Sequence, residues 1–213
     1  MATKNAISNK SQDLTVDPGA SGDSYIQFNI NTTGEFRIGV DDDDSDAFKV
    51  SQGSALGSND ALRVSAGGEI THSLQPAFLA TGSTQSNVTG DATAYTVTFS
   101  SAEHFDQNND FDGTSTFTAP VTGIYQFNCE LVLDDLTSSH TVNTINLSTS
   151  NRDYVVGYFS PGAVKDVGDR SPSGFSLLVD MDSADTAVVK LTVSNGTKVV
   201  DIVSSWFNGY LAC

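Results

Sequence analysis

The 213-residue chain carries 26 acidic and 10 basic residues, a formal net charge of −16. Up to residue 76 there are 11 acidic and 5 basic residues, and from residue 77 there are 15 and 5. Neither half therefore offers the basic footprint that phosphate contacts require, which argues against nucleic-acid binding. No apolar run reaches the length of a membrane span. The opening residues MATKNAISNK lack the apolar stretch of a secretory signal, so neither secretion nor membrane insertion is expected.

Helical periodicity is nearly absent. Apolar residues alternate with polar ones between clusters of Gly, Ser, Thr, Asn and Asp, which is the pattern of short strands and turns. Residues 1–22 read as an extended docking arm ending near the turn signal Asp17-Pro18-Gly19. Tyr25, Ile26, Phe28 and Ile30 then predict a strand, Gly34 a turn, and Phe36, Ile38 and Val40 a returning strand. Asp41 to Asp46 form an acidic turn. Phe48 and Val50 begin the next strand, Leu62 and Val64 another, and Gly67-Gly68 turns the chain into Ile70.

Residues 23–76 thus make a β-rich unit with few apolar residues for its length. Such small strand sets are marginal alone. Further copies of the chain around a shared axis would supply the missing burial and cover the strand edges. This region is accordingly expected to be an intertwined trimeric stem, with Phe28, Phe36 and Phe48 among its packing residues.

Gln75-Pro76 marks a boundary. Beyond it, strands are expected at Phe78-Leu79, Tyr95 to Phe99, Phe117, Ile124 to Cys129 and Leu131 to Leu133. More are expected at Thr144 to Leu147, Tyr154 to Phe159, Phe175 to Val179, Ala187 to Val193, Val199 to Ile202 and Phe207 to Leu211. Short runs at this spacing predict an all-β sandwich or jelly roll over residues 77–213. Asn195-Gly196 between two alternating runs reads as a hairpin turn.

Two stretches of this second half resemble the C1q and tumour necrosis factor jelly-roll superfamily. They are Phe117-Thr118-Ala119-Pro120-Val121-Thr122-Gly123-Ile124-Tyr125-Gln126-Phe127 and Ser205-Trp206-Phe207-Asn208-Gly209-Tyr210-Leu211. The resemblance departs at Cys129, where the family has an aromatic, and around Phe105 to Phe111. It implies a jelly-roll head and a homotrimer. Phe78, Phe117, Tyr125, Phe127, Phe207, Tyr210 and Leu211 are then either core or subunit contacts. The N-terminal half resembles the short repeats of phage fibre proteins. Its carriers include Gly22-Asp23-Ser24-Tyr25-Ile26-Gln27-Phe28, Phe36-Arg37-Ile38-Gly39-Val40-Asp41 and Ala55-Leu56-Gly57-Ser58-Asn59-Asp60. A fibre-like stem fused to such a head implies a structural protein on the virion exterior. It would attach to capsid or tail proteins through the arm, as decoration protein or as fibre.

Sites of chemistry are sparse. The Asp41-Asp42-Asp43-Asp44 run with Asp46 offers oxygen ligands for a hard cation, but it lacks the glycine and terminal glutamate of an EF-hand loop and reads as a solvated turn. His72, His104 and His140 show no zinc spacing. No Gly-x-Ser-x-Gly elbow, phosphate loop or dinucleotide fingerprint is present. Asp134-Asp135 is the kind of acid pair that a glycosidase could use, a weak rival in a chain this short. No enzyme activity, cofactor or metal is expected. Cys129 and Cys213 are read as free thiols, although two cysteines could pair. The alternative function is a receptor-binding fibre tip or adhesin for host-surface glycan, with Tyr154, Tyr158, Phe159 and Trp206 as stacking candidates.

Overall fold

The computed structural model describes residue 16, residues 22–30 and residues 34–213. Most of the expected docking arm, including Asp17-Pro18-Gly19, lies outside the described residues. The chain divides into two compact units between Leu74 and Gln75.

The first unit is one five-stranded antiparallel meander. It comprises β1 (Ser24–Ile30), β2 (Gly34–Asp41), β3 (Ala47–Gln52), β4 (Asp60–Val64) and β5 (Ile70–Thr71), hydrogen-bonded in chain order. These are the alternating runs of the sequence, with the acidic segment forming a 3₁₀ turn over Asp42–Asp44. The register pairs Phe28 with Phe36 and Ile26 with Ile38. It pairs Ile38 with Val50 and Val40 with Phe48, and then Phe48 with Val64 and Val50 with Leu62. Because successive side chains alternate between faces, this register gathers the apolar residues of all five strands on one side. The other side is polar.

The second unit is a two-sheet antiparallel sandwich. Its strands are β6 (Ala77–Gly82), β7 (Gln85–Thr89), β8 (Ala94–Thr96), β9 (Ala102–Gln107), β10 (Phe117–Thr118) and β11 (Gly123–Asp134), followed by β12 (Val142–Thr149), β13 (Asp153–Phe159), β14 (Ser171–Met181), β15 (Thr186–Ser194) and β16 (Val200–Leu211). One sheet runs β14-β11-β16-β6-β9, with β7 also on β16. The other runs β10-β15-β12-β13, with β8 also on β15. The last strand lies between the first strand of the unit and β11, and consecutive strands often belong to opposite sheets. This is a jelly roll, and the fold is all-β as the sequence predicts.

Three local expectations differ from the structure. Asn195-Gly196 is a turn, with Asn195 in the left-handed region at φ 72°. It does not close a hairpin, because β15 and β16 belong to different sheets. Both strands already have partners on each side, so the turn carries the chain from one sheet to the other. The run Tyr95 to Phe99 is strand only over Ala94–Thr96. Strands β7 and β9 arise where the sequence reads as loop.

The inward face of β11 explains the core. Tyr125, Phe127, Cys129, Leu131 and Leu133 alternate along it and are all buried. Tyr125 and Phe127 join Phe78, Phe99, Phe111, Phe117 and Phe207 in one aromatic cluster. Phe78 stacks on Phe111 at 4.9 Å between ring centroids and meets Phe207 edge-on at 5.1 Å. These offset and edge contacts are the arrangements favoured by ring quadrupoles. Gly209 completes the packing. A Cβ there would lie 2.5 Å from the Phe127 ring and 2.9 Å from Phe78, so only glycine lets β16 pass behind the rings.

Candidate functional site

The N-terminal sheet has its polar face covered over β3 and the end of β2 and its apolar face exposed. On the polar face, Ala47, Lys49 and Ser51 of β3 are buried, as is Asp41 at the end of β2. Residues between β3 and β4 pass over them. Leu56 is buried there, and Gly57, at φ +85°, comes so close that a Cβ would sit 2.9 Å from the Asp41 carboxylate. Under this cover the Lys49 ammonium reaches three carboxylates, Asp41 at 2.7 Å, Asp44 at 2.8 Å and Asp60 at 3.1 Å. Arg63 forks onto Asp44 through Nε at 2.7 Å and Nη2 at 3.0 Å. These charge-assisted bonds satisfy the buried charge, which would otherwise be expensive.

The electrostatics follow from that geometry. The Arg63 and Lys49 bonds hold the Asp44 carboxyl well below the usual range. Burial pushes Asp60 upward, but bonds from Ser51 and Lys49 outweigh it and leave its pKa lowered. Burial also works against the charged form of Lys49, and its three carboxylate partners overcome this and raise its pKa. Within the acidic run, Asp41 and Asp44 are therefore counter-charges for the chain's own cations. Asp23, Asp41 and Asp42 bring carboxylate oxygens within 4.8 Å of one another. Asp41 already binds Lys49 there, while Asp42 and Asp23 accept the backbone N–H groups of Gly22 and Asp42.

The apolar face carries Ile26, Phe28, Phe36, Phe48 and Ile70, exposed by 41%, 57%, 47%, 39% and 61%. Ile38, Val40, Val50, Leu62 and Val64 lie half-buried between them. No charged residue occupies a strand position on this side. Of the predicted packing residues, Phe28, Phe36 and Phe48 thus share this exposed face. Phe78, Phe117, Tyr125, Phe127 and Phe207 are buried in the sandwich. Tyr210 is exposed at the C-terminal strand, and Leu211 packs against the core edge.

The head has its own concavity, a depression of about 680 Å³ where β13 meets β14, β11 and β16. Trp206, Phe159 and Phe175 line it together with Asn128, Glu130 and Asn208. Asn128 donates to the Asn208 side-chain oxygen at 2.9 Å, and Gln126 donates to Asn128 and to Ser176. Two of the four glycan candidates, Phe159 and Trp206, meet in this depression. Tyr154 is half-buried and donates to Asp180. Tyr158 is 73% exposed and, next to Phe159 in the strand, points to the other side. Sequence reasoning missed Asn128, Glu130 and Asn208. The available signal was their alternation with the inward residues of β11 and β16.

No protein-family model matches the chain, and no curated protein matches it. Among solved structures the chain is similar to the globular domain of zebrafish complement 1qA protein. That likeness has 19% identity and a TM-score of 0.48, covering 65% of this chain and 98% of the other. It is also similar to murine APRIL, at 10% identity and a TM-score of 0.42, covering 64% and 99%.

The remaining candidate residues have structural partners. Cys129 is buried on the inward face of β11 and Cys213 is exposed, and both are free thiols. Burial pushes the Cys129 thiol far up, so it behaves as a small apolar side chain. His140 is fully buried, with Nδ1 accepting from the Thr137 amide and Nε2 beside the Thr197 carbonyl. Asp134 binds Arg170 at 3.0 Å.

Proposed function

We propose that this chain is a non-enzymatic structural protein that works as a homotrimer on the exterior of a virus particle, as capsid decoration or fibre. The observation that carries the reading is the unequal burial of the two units. The sandwich closes a full aromatic core of its own, whereas the N-terminal sheet leaves its apolar face exposed. A single copy is therefore not the finished state of such a chain. The virion placement draws its support from the fibre-like order of the N-terminal residues, joined to a jelly-roll head. Residues 1–22 supply the attachment in this reading.

Light scattering on the purified protein at micromolar concentration should give three times the chain mass, and a monomer would sink the proposal. A chain lacking residues 1–22 should remain trimeric and fail to load onto particles. Full loading by that truncated chain would remove the arm from the attachment role. Copy number per particle separates the placements, with hundreds for decoration and a few dozen at most for a tail.

A second reading, host-surface glycan binding by the head, is favoured by one observation. Trp206 and Phe159 share a depression with amide and carboxylate side chains, and aromatic faces flanked by planar polar groups suit sugar rings. Glycan-array binding that is lost in Trp206→Ala would support it. Binding unchanged in that variant would exclude this depression.

A further inference from the structure

The exposed face of the N-terminal sheet requires an occupant, and the chemistry of the face limits what that occupant is. We infer that it packs against the same face of the other copies in the trimer proposed above, so that the β1–β5 sheets turn inward around the axis and form a shared apolar core. The inference rests on the trimer reading and adds the surface that makes it.

Four observations converge. First, the face has no charge at its strand positions in a chain of net charge −16. Copies this acidic repel one another, so a close self-contact is tolerable only where charge is absent. Second, the opposite side is already occupied. Lys49 and Asp41 are buried under the β3–β4 connection, with Asp44 and Asp60 completing the ion cluster, so the apolar side is the one left for a partner.

Third, the area is sufficient. Exposed Phe and Ile side chains each offer on the order of 100 Å², so the face presents several hundred Å², approaching the roughly 800 Å² per partner of a stable interface. Fourth, the N-terminal arm is a poor cover for the face. Residues 1–21 contain only Met1, Ile7, Leu14 and Val16 as large apolar side chains, too few to bury three exposed phenylalanines and the isoleucines around them.

The register also supplies complementary contacts. Phe28 lies directly across from Phe36, Phe48 lies across from Val40 and Val64, and Ile26, Ile38, Val50 and Leu62 run in the row between them, so the apolar side chains cover the face without a break. Three such faces turned towards a common axis bring these rows together in one core.

The test uses full-length protein. Phe28→Lys with Phe36→Lys puts two charges on the face and should lower the light-scattering mass threefold, while Trp206 fluorescence and the melting of the head stay as in the wild type. Val155→Lys with Val164→Lys, on exposed positions of the head, should leave the trimer intact. A trimer that survives the first pair, or is lost with the second pair alone, overturns the inference.

Because a lysine on this face can also unfold the sheet, cysteines give an independent readout. In a Cys213→Ser background, Ile38→Cys and Val50→Cys should each oxidise to disulfide-linked chains, whereas Gln27→Cys on the opposite face should not. A trimer in which neither of the two face positions cross-links overturns the inference while leaving the trimer itself standing. A wild-type dimer that the first pair dissociates would keep the face as the contact and remove the count of three.

Discussion

At the level of single residues, two acidic sites, one in each unit, shift in opposite directions. In the N-terminal sheet the carboxylates of Asp44 and Asp60 are held below their ordinary range by Lys49, Arg63 and Ser51. Their stabilising contribution is fully present above the unfolded carboxylate pKa of about 4 and is lost as the pH falls below it. Replacing Lys49 with Met leaves three carboxylates around an uncharged side chain and should destabilise the sheet by about 3–5 kcal/mol. Cross-linking or hydrogen exchange of β1–β5 at neutral pH would read this, and unchanged protection would show that the cluster is not a stabilising element. In the head, burial and the nearby Asp106 charge push Asp110 up to about 6. Its Oδ2 is buried and receives no hydrogen bond, while Asp106 accepts the N–H groups of Asp110 and Phe111. A raised carboxyl behaves in the reverse sense. The protonated form is favoured in the folded state, so the stability is full below about pH 4 and declines as the pH rises through about 6. Asp110→Asn should therefore match the wild type at pH 4 and be more stable at pH 7.5, by on the order of 1 kcal/mol after allowing for solvent screening. Equal melting temperatures at both pH values would show that Asp110 ionises freely.

At the level of elements, β11 shows how alternation divides labour. Tyr125 and Phe127 are buried in the aromatic cluster, and Gln126 between them faces outward to Ser176 and Asn128. Tyr125→Ala and Phe127→Ala should each cost about 3–5 kcal/mol, and Gln126→Ala much less. Thermal melts of the three variants check this, and equal shifts would contradict the register. This alternation was legible in the sequence, as was the pairing of Phe36, Ile38 and Val40 with their neighbours. Strand β7 was not, because Gln85 to Thr89 has little apolar alternation. It is held instead by pairing with β16 and by Asp201, which accepts from Ser86 and the Asn87 amide. The Asn195-Gly196 turn was visible but its destination was not, since which sheet a strand joins is decided by partners far along the chain, here β11 and β6 for β16. The depression in the head was half-legible. Trp206 and Phe159 stand out as aromatics, but only the register of β11 with β14 and β16 places Asn128, Glu130 and Asn208 beside them. The inverted sheet was the least legible feature. Alternation reveals two faces, and normally the apolar one is covered by its own chain. Here the covered side is the polar one, because the β3–β4 connection brings Leu56 and Gly57 over Lys49.

At the scale of the whole molecule, charge and apolar contact pull in opposite directions. Each copy carries −16, and a trimer would concentrate three such charges in one particle. If the contact is an uncharged sheet face, repulsion between copies is the main electrostatic term in assembly, and there is no attraction between opposite charges for salt to weaken. Screening then favours association. The Debye length falls from about 30 Å at 0.01 M salt to about 10 Å at 0.1 M. Kosmotropic anions such as sulfate should add to the effect by strengthening apolar burial. The expected result is a trimer that tightens as sodium chloride rises from 10 to 300 mM and tightens further in sodium sulfate at matched ionic strength. An interface held by pairs such as Arg152 with Asp180, which are exposed on the head, would loosen over the same series. Sedimentation equilibrium of the full-length protein across the salt series measures the difference directly, and a dissociation constant that increases with salt would rule out the charge-free face as the dominant contact.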